Sequence, residues 1–101
     1  MTEATTPAEI DRRLSVDIDL DFPVDFDGEH VTSITMRRAK VRDKLKAKNT
    51  KGDEMDKGLA LISNLVERPI EFLAELDEVD LEKVQAQYMA FTGRTPEMDS
   101  N

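Results

Sequence analysis

The chain contains no cysteine. A disulfide framework, a thiolate zinc site and a cysteine nucleophile are therefore excluded. Histidine occurs once, as His30. Histidine-based metal clusters and a Ser-His-Asp arrangement with a histidine to spare have little to draw on. Tryptophan is absent and aromatics make up only 5%, so a core must rest on Leu, Ile, Val and Met. No apolar run approaches the ~20 residues that span a bilayer. Residues 1–10 lack a basic start followed by an apolar stretch, and do not read as a secretory signal.

What is present is short and acidic. A length of 101 residues fits one small domain, not a Rossmann domain with a substrate domain or a TIM barrel. The net charge of -8 opposes nucleic acid phosphates and anionic membranes. That total is unevenly spread. Residues 36–51 carry Arg37, Arg38, Lys40, Arg42, Lys44, Lys46, Lys48 and Lys51 against Asp43 alone, a net +7. Residues 1–35 carry -7 and residues 52–101 carry -8. The basic window has no interleaved aromatics, no Gly-rich loop and no zinc ligands, which argues against a nucleic-acid patch. It reads better as a solvated helix face whose bases meet acids elsewhere in the fold or on a partner.

The strongest pattern is an alternation. Val16, Ile18, Leu20, Phe22, Val24 and Phe26 are apolar, with Asp17, Asp19, Asp21, Pro23 and Asp25 between them. This is the strand period, with one face buried and one wet. Pro23 removes a backbone donor, so the strand lies at an edge or breaks there. Asp27-Gly28 signals a hairpin. A two-residue loop would pair Phe26 with Glu29 and Val24 with Val31, and send Ile34 and Met36 to the wrong face. A three-residue loop pairs Asp25 with Glu29, Leu20 with Ile34 and Ile18 with Met36. Burial of one face decides register, so the three-residue loop is expected.

Helices must cover that face. A short one is expected over 38–47, with Val41 and Leu45 four apart. Asp53 is placed to cap a second, in which Met55, Leu59, Ile62, Leu65 and Val66 follow helical spacing and which stops before Pro69. Pro69 suits the start of a third, with Ile70, Leu73 and Leu76 on its buried face. Asp77 caps a fourth over 78–92, where Leu81, Val84, Tyr88 and Phe91 recur, and Gly93 closes it. The expected fold is α+β: an N-terminal β-hairpin packed on a small bundle of three to four helices. The domain is expected over 15–93, between disordered tails at 1–14 and 94–101.

The acidic strand fails a test for calcium. Counted from Asp17, Asp19 or Asp21, no register supplies Gly at the sixth position and Glu at the twelfth. Same-face strand carboxylates also stand about 6.5–7 Å apart, too far to share one ion well. Asp77, Glu78, Asp80 and Glu82 read as helix N-terminal acids favoured by the dipole. Phosphate-binding glycine motifs and a nucleophile elbow are missing. No metal, cofactor or catalytic residue is expected, and the chain does not read as an enzyme. What remains is surface for a partner. Met55, Leu59, Ile62, Leu73, Val84, Tyr88, Met89 and Phe91 are the candidate partner-binding residues, methionine being suited to adaptable surfaces. The competing reading packs Tyr88 and Phe91 on the hairpin.

Taken in order, certain residues resemble a known family. The run Phe22-Pro23-Val24-Asp25-Phe26-Asp27-Gly28-Glu29 leads into Val31-Thr32-Ser33-Ile34-Thr35-Met36-Arg37-Arg38. Lys40-Val41-Arg42-Asp43 follows, then an apolar helix and a last helix opened by Leu76-Asp77 and ending at Phe91. Over about residues 20–93 this is similar to the tail assembly chaperones of Mu-like contractile-tailed phages and related prophages. Relatives often carry Pro where this chain has Ala39. The resemblance implies a small acidic protein that binds the tape measure protein, keeps it soluble and helps recruit tail tube protein. It implies action in the cytoplasm of the infected or lysogenic host, absence from the mature virion, and a short form alongside a longer product of programmed frameshifting. A homo-oligomer is compatible with it, and no catalytic residues come with it. Two other readings stand beside it: a small regulator binding nucleic acid through residues 37–51, and a structural tail component.

Overall fold

The computed structural model describes residues 10–93. Strand β1 (Ser15–Phe26) and strand β2 (Glu29–Arg37) form an antiparallel two-stranded sheet. Helices α1 (Val41–Lys48), α2 (Glu54–Val66), α3 (Ile70–Leu73) and α4 (Glu78–Thr92) follow in order. This is the expected α+β arrangement of a hairpin followed by helices. Of the expected tails, residues 1–9 and 94–101 lie outside the described residues.

The register corrects the expectation. Phe26 pairs with Glu29, Asp25 with His30 and Val24 with Val31, so the loop has two residues. Asp27 and Gly28 have φ of 53° and 82°, the pair of positive values that a type I′ hairpin turn requires. Further along, Ile18 pairs with Ile34 and Val16 with Met36. Between the two stretches, Leu20, Asp21, Phe22 and Pro23 stand opposite Thr32 alone. The physical reason is parity. Val31 and Ile34 are three apart, so an unbroken strand would point them to opposite faces. The break points both inward, and Val24, Val31, Ile18, Ile34 and Met36 are all buried. Phe22, expected in the buried row, sits in the break and is 54% exposed.

Gly28 has open space around its Cα, so Gly28→Ala loses only the backbone's ease at positive φ. A cost of about 1 kcal/mol is expected, read as a lower midpoint in urea with an unchanged slope.

A hairpin by itself is marginal in water. Here one face is covered by Ile62, Leu65 and Val66 of α2, Phe72 and Leu73 of α3, and Val84 and Phe91 of α4. Asp53 caps α2, its side chain accepting from the Asp56 N–H at 3.0 Å while Asp56 accepts from the Asp53 N–H at 3.1 Å. Glu67 ends α2 in the left-handed region, with φ 56°, ahead of Pro69. Asp77 caps α4, and Gly93 closes it with φ 80°.

Two helical expectations need correction. The first helix starts at Val41, not at residue 38, because Arg38 is still held beside the sheet by its N–H donating to Leu14 O at 2.9 Å. Its buried residues are Asp43 and Ala47, whereas Val41 and Leu45 are 74% and 56% exposed. In α3, Ile70 faces outward and Phe72 joins Leu73 in the core.

Candidate functional site

The break in β1 leaves backbone amides without a strand partner, and a side chain from α4 takes them. Asp80 has 0% of its surface exposed. Its Oδ1 accepts from the Asp21 N–H at 2.7 Å and its Oδ2 from the Phe22 N–H at 3.0 Å. Pro23 has no N–H to satisfy, which makes it the residue best suited to the end of such a break. Lys83, one turn further along α4, donates Nζ to Asp19 O and to Asp21 Oδ1, both at 2.8 Å. Its Nζ lies 3.7 Å from Asp80 Oδ1. Asp80 was expected as a dipole-favoured acid at a helix start. Its actual work is to bind the irregular backbone and so lock α4 onto the hairpin.

The arginines around the strand-to-helix corner are similarly committed. Arg37 meets Asp43 through two parallel bonds, Nη1 to Oδ2 at 2.9 Å and Nη2 to Oδ1 at 2.8 Å. Asp43 Oδ2 also accepts from the Lys40 N–H at 2.8 Å. Arg38 donates to the main-chain oxygens of Asp11 and Phe91 and stacks 5.1 Å above the Phe91 ring. Near the turn, Arg68 grips Glu29 at 3.0 and 3.2 Å and covers the Phe72 ring at 4.9 Å. Arg37, Arg38 and Asp43 therefore build the corner. The expectation that the basic window meets acids elsewhere in the fold holds only for Arg37, whose Nε lies 3.6 Å from Glu67 Oε2. Arg38 meets main-chain oxygens and a ring instead. None of Lys40, Arg42, Lys44, Lys46, Lys48 or Lys51 comes within 4.0 Å of a carboxylate among the described residues.

The Arg37 guanidinium, followed by the Lys40 N–H, holds the Asp43 carboxyl down at about 2 from an ordinary 3.8, against the opposing effect of burial. A depressed carboxyl contributes stability above its unfolded pKa and loses it as pH falls through its folded one. That portion, about 2 kcal/mol, is therefore complete above about pH 4 and is lost toward pH 2. Urea unfolding of the chain and of Asp43→Asn should differ by a constant amount at pH 5 and above. The gap should shrink by about 2 kcal/mol at pH 2. A gap that does not change with pH would remove the pair from the account.

The eight candidate partner-binding residues divide by burial. Ile62, Leu73, Val84 and Phe91 lie in the core. Leu59, Tyr88 and Met89 are half-buried, Leu59 and Tyr88 packing against the core. Met55 is 68% exposed. Thus Met55 and Leu59, one turn apart on α2, and Tyr88 and Met89 on α4, retain surface. The structure adds exposed apolar residues that the sequence reading did not select for binding: Phe22, Val41, Leu45, Ile70 and Val79. A residue's helical spacing marks a face, but not whether that face meets the core. Among the described residues, no group of three His, Cys, Asp or Glu is placed to hold a metal ion. Nor is any buried side-chain polar atom left without a partner. No helix among them is long and apolar enough to cross a membrane.

Open depressions flank the helices. One, between α1 and the end of α2, is lined by Arg42, Lys46, Asn64 and Glu67 among others. A second, beside the break, is lined by Phe22, Pro23, Val24, Asp25, Glu75, Leu76 and Asp77. A third, between α1 and the start of α2, is floored by Ala47, Gly58 and Leu61 and rimmed by Lys44, Lys48, Lys57 and Glu54. All three are open at the surface rather than enclosed.

Comparison with curated proteins and with solved structures gives no match. Residues 17–93 match a family model, that of the phage tail assembly chaperone proteins E, or 41 or 14. The matched span starts within β1 and ends at the glycine that closes α4, so it takes in nearly the whole hairpin, the Asp80-bound break, the arginine corner and all four helices. On that match, the chain belongs to the family of phage tail assembly chaperone proteins.

Proposed function

We propose that this chain is a non-enzymatic binding protein whose client is the tape measure protein. It keeps that client soluble until tail tube protein polymerises around it, and helps bring the tube protein to it. On this reading it works in the cytoplasm of the infected or lysogenic bacterium and is absent from the finished virion. The observation that carries the reading is family membership over residues 17–93. The physical properties support it. A net charge of -8 keeps a chaperone–client complex dispersed. A few exposed apolar side chains give contacts that hold and release, since affinity follows the quality of a few anchors and not area alone.

Of the eight residues named from the sequence, the client contact falls to the four that retain surface: Met55, Leu59, Tyr88 and Met89. Ile62, Leu73, Val84 and Phe91 serve by holding those helices in place. Co-expression tests the reading. A tape measure fragment that precipitates alone should stay in the supernatant when this chain is present. Met55→Ser combined with Met89→Ser should return most of it to the pellet while the chaperone stays folded. Equal precipitation with and without the chain would end the proposal.

A further inference from the structure

The slot between α1 and the start of α2 has a floor that the fold itself does not require. Gly58 lies inside α2, where glycine is a poor helix former. It is not among the glycines with positive φ, so the backbone does not call for it. A Cβ added there would meet nothing within 4 Å, so packing does not call for it either. What glycine does provide is depth. With Ala47 of α1 it keeps two lining positions small, and Leu61, half-buried, adds an apolar wall. The open volume is about 440 Å³. A cleft between two helices, floored by small residues, is a hole that takes a large side chain from a third helix.

The rim adds charge. Lys44 and Lys48 stand one turn apart on α1, with Lys57 on α2, against Glu54. No carboxylate of the described residues lies within 4.0 Å of any of the three lysines. On a chain with a net charge of -8, this rim is a local reversal of sign. It draws acidic segments and rejects basic ones. We propose that the slot receives a large apolar side chain of an acidic amphipathic helix in the client, whose carboxylates one turn to either side meet Lys44, Lys48 and Lys57. The inference rests on the client reading above and adds the chemistry by which a segment is chosen. Nucleic acid would satisfy the lysines but would leave the apolar floor in water.

Fluorescence anisotropy with the full chain and two labelled synthetic peptides tests it. Both peptides are about 15 residues long, with Leu at helical spacing. One carries Glu on either side of the leucines, the other Lys at the same positions. At about 0.05 M salt the Glu peptide should bind at least about tenfold more tightly than the Lys peptide, and most of that preference should go at about 0.5 M. Gly58→Met fills the slot and should weaken the Glu peptide about tenfold or more. Gly58→Ala should raise the thermal midpoint by a few degrees, because alanine favours helix, and still weaken binding. A glycine kept for structure would not move stability and binding in opposite directions. Lys44→Glu with Lys48→Glu should invert the preference between the peptides. Gly58→Met should leave the sedimentation of the chain unchanged; a change would place a second copy in the slot and overturn the proposal. So would no binding or equal binding of the two peptides, Gly58→Met binding like the wild type, a charge-reversed chain that still prefers Glu, or labelled single-stranded DNA held more tightly than the Glu peptide. Co-expression separates the two readings. A tape measure fragment kept soluble equally by the wild type and Gly58→Met removes this slot alone, whereas one that precipitates with the wild type removes the client reading.

Discussion

Asp80→Ala is expected to lower the unfolding free energy by about 3–5 kcal/mol. The carboxylate is wholly buried and accepts from two amides of the β1 break, at 2.7 and 3.0 Å. Removing it orphans both amides and takes from Lys83 the carboxylate 3.7 Å away. For a small domain with a total of about 5–15 kcal/mol, such a loss leaves much of the population unfolded or close to it. Two comparisons isolate the cause. Asp80→Asn keeps the shape and one acceptor but turns an amide nitrogen toward a backbone N–H, and should lose roughly half as much. Lys83→Met removes a partly exposed cation and should cost about 1 kcal/mol or less. Urea unfolding orders the three. Amide exchange in Asp80→Asn should accelerate at Asp21 and Phe22 before it does elsewhere. If Lys83→Met proved as damaging as Asp80→Ala, the ion pair and not the backbone anchor would be the source of stability.

Phe72→Ala should cost about 3–5 kcal/mol as well, by leaving a cavity. Phe72 is fully buried in a helix of four residues. Its ring meets the Phe26 ring edge-on at 5.5 Å and lies beneath the Arg68 guanidinium at 4.9 Å. No other side chain of α3 except Leu73 is buried, so the short helix has little else to hold it. Phe72→Leu keeps most of the volume and should cost about 1.5 kcal/mol or less. Arg68→Met keeps the apolar stem over the ring but gives up the paired bonds to Glu29. Because Glu29 is largely exposed, about 1 kcal/mol is expected. Unfolding midpoints of the three variants check the order. A loss from Arg68→Met equal to that from Phe72→Ala would mean that the Arg68–Glu29 clamp, not ring burial, secures α3.

These two residues also show where sequence reading reaches its limit. Alternation revealed β1, Asp-Gly revealed the turn, and Asp53, Pro69, Asp77 and Gly93 marked helix ends, because caps and turns are local chemistry. The register depends on something less local. Val31 and Ile34 carry the signal in their odd spacing, and Pro23 marks where β1 gives way, but a continuous ladder was the simpler assumption. Asp80 stood among several acids at a helix start, and its partners are 58 and 59 residues away in the chain. Nothing local separated it from Glu78 or Glu82. Phe72 lies in an element too short to display a helical period. On α1, Val41 and Leu45 have the spacing of a buried pair. Asp43 is buried in their stead because Arg37, at the end of β2, needs a carboxylate there. The partner surface was the least legible part. Half of the eight residues chosen for it are core, because an apolar stripe looks the same whether it meets the domain's own interior or a client.

The proposed function assigns this chain's surface to a tail protein client rather than to a reaction or a nucleic acid. Pull-down from infected or induced cells, with mass spectrometric identification of what is held, tests that claim most directly. The account predicts tape measure protein as the principal captured species, with this chain missing from purified virions of the same cells. Capture of nucleic acid without tape measure protein, or recovery of the chain as a stoichiometric part of purified tails, would contradict it.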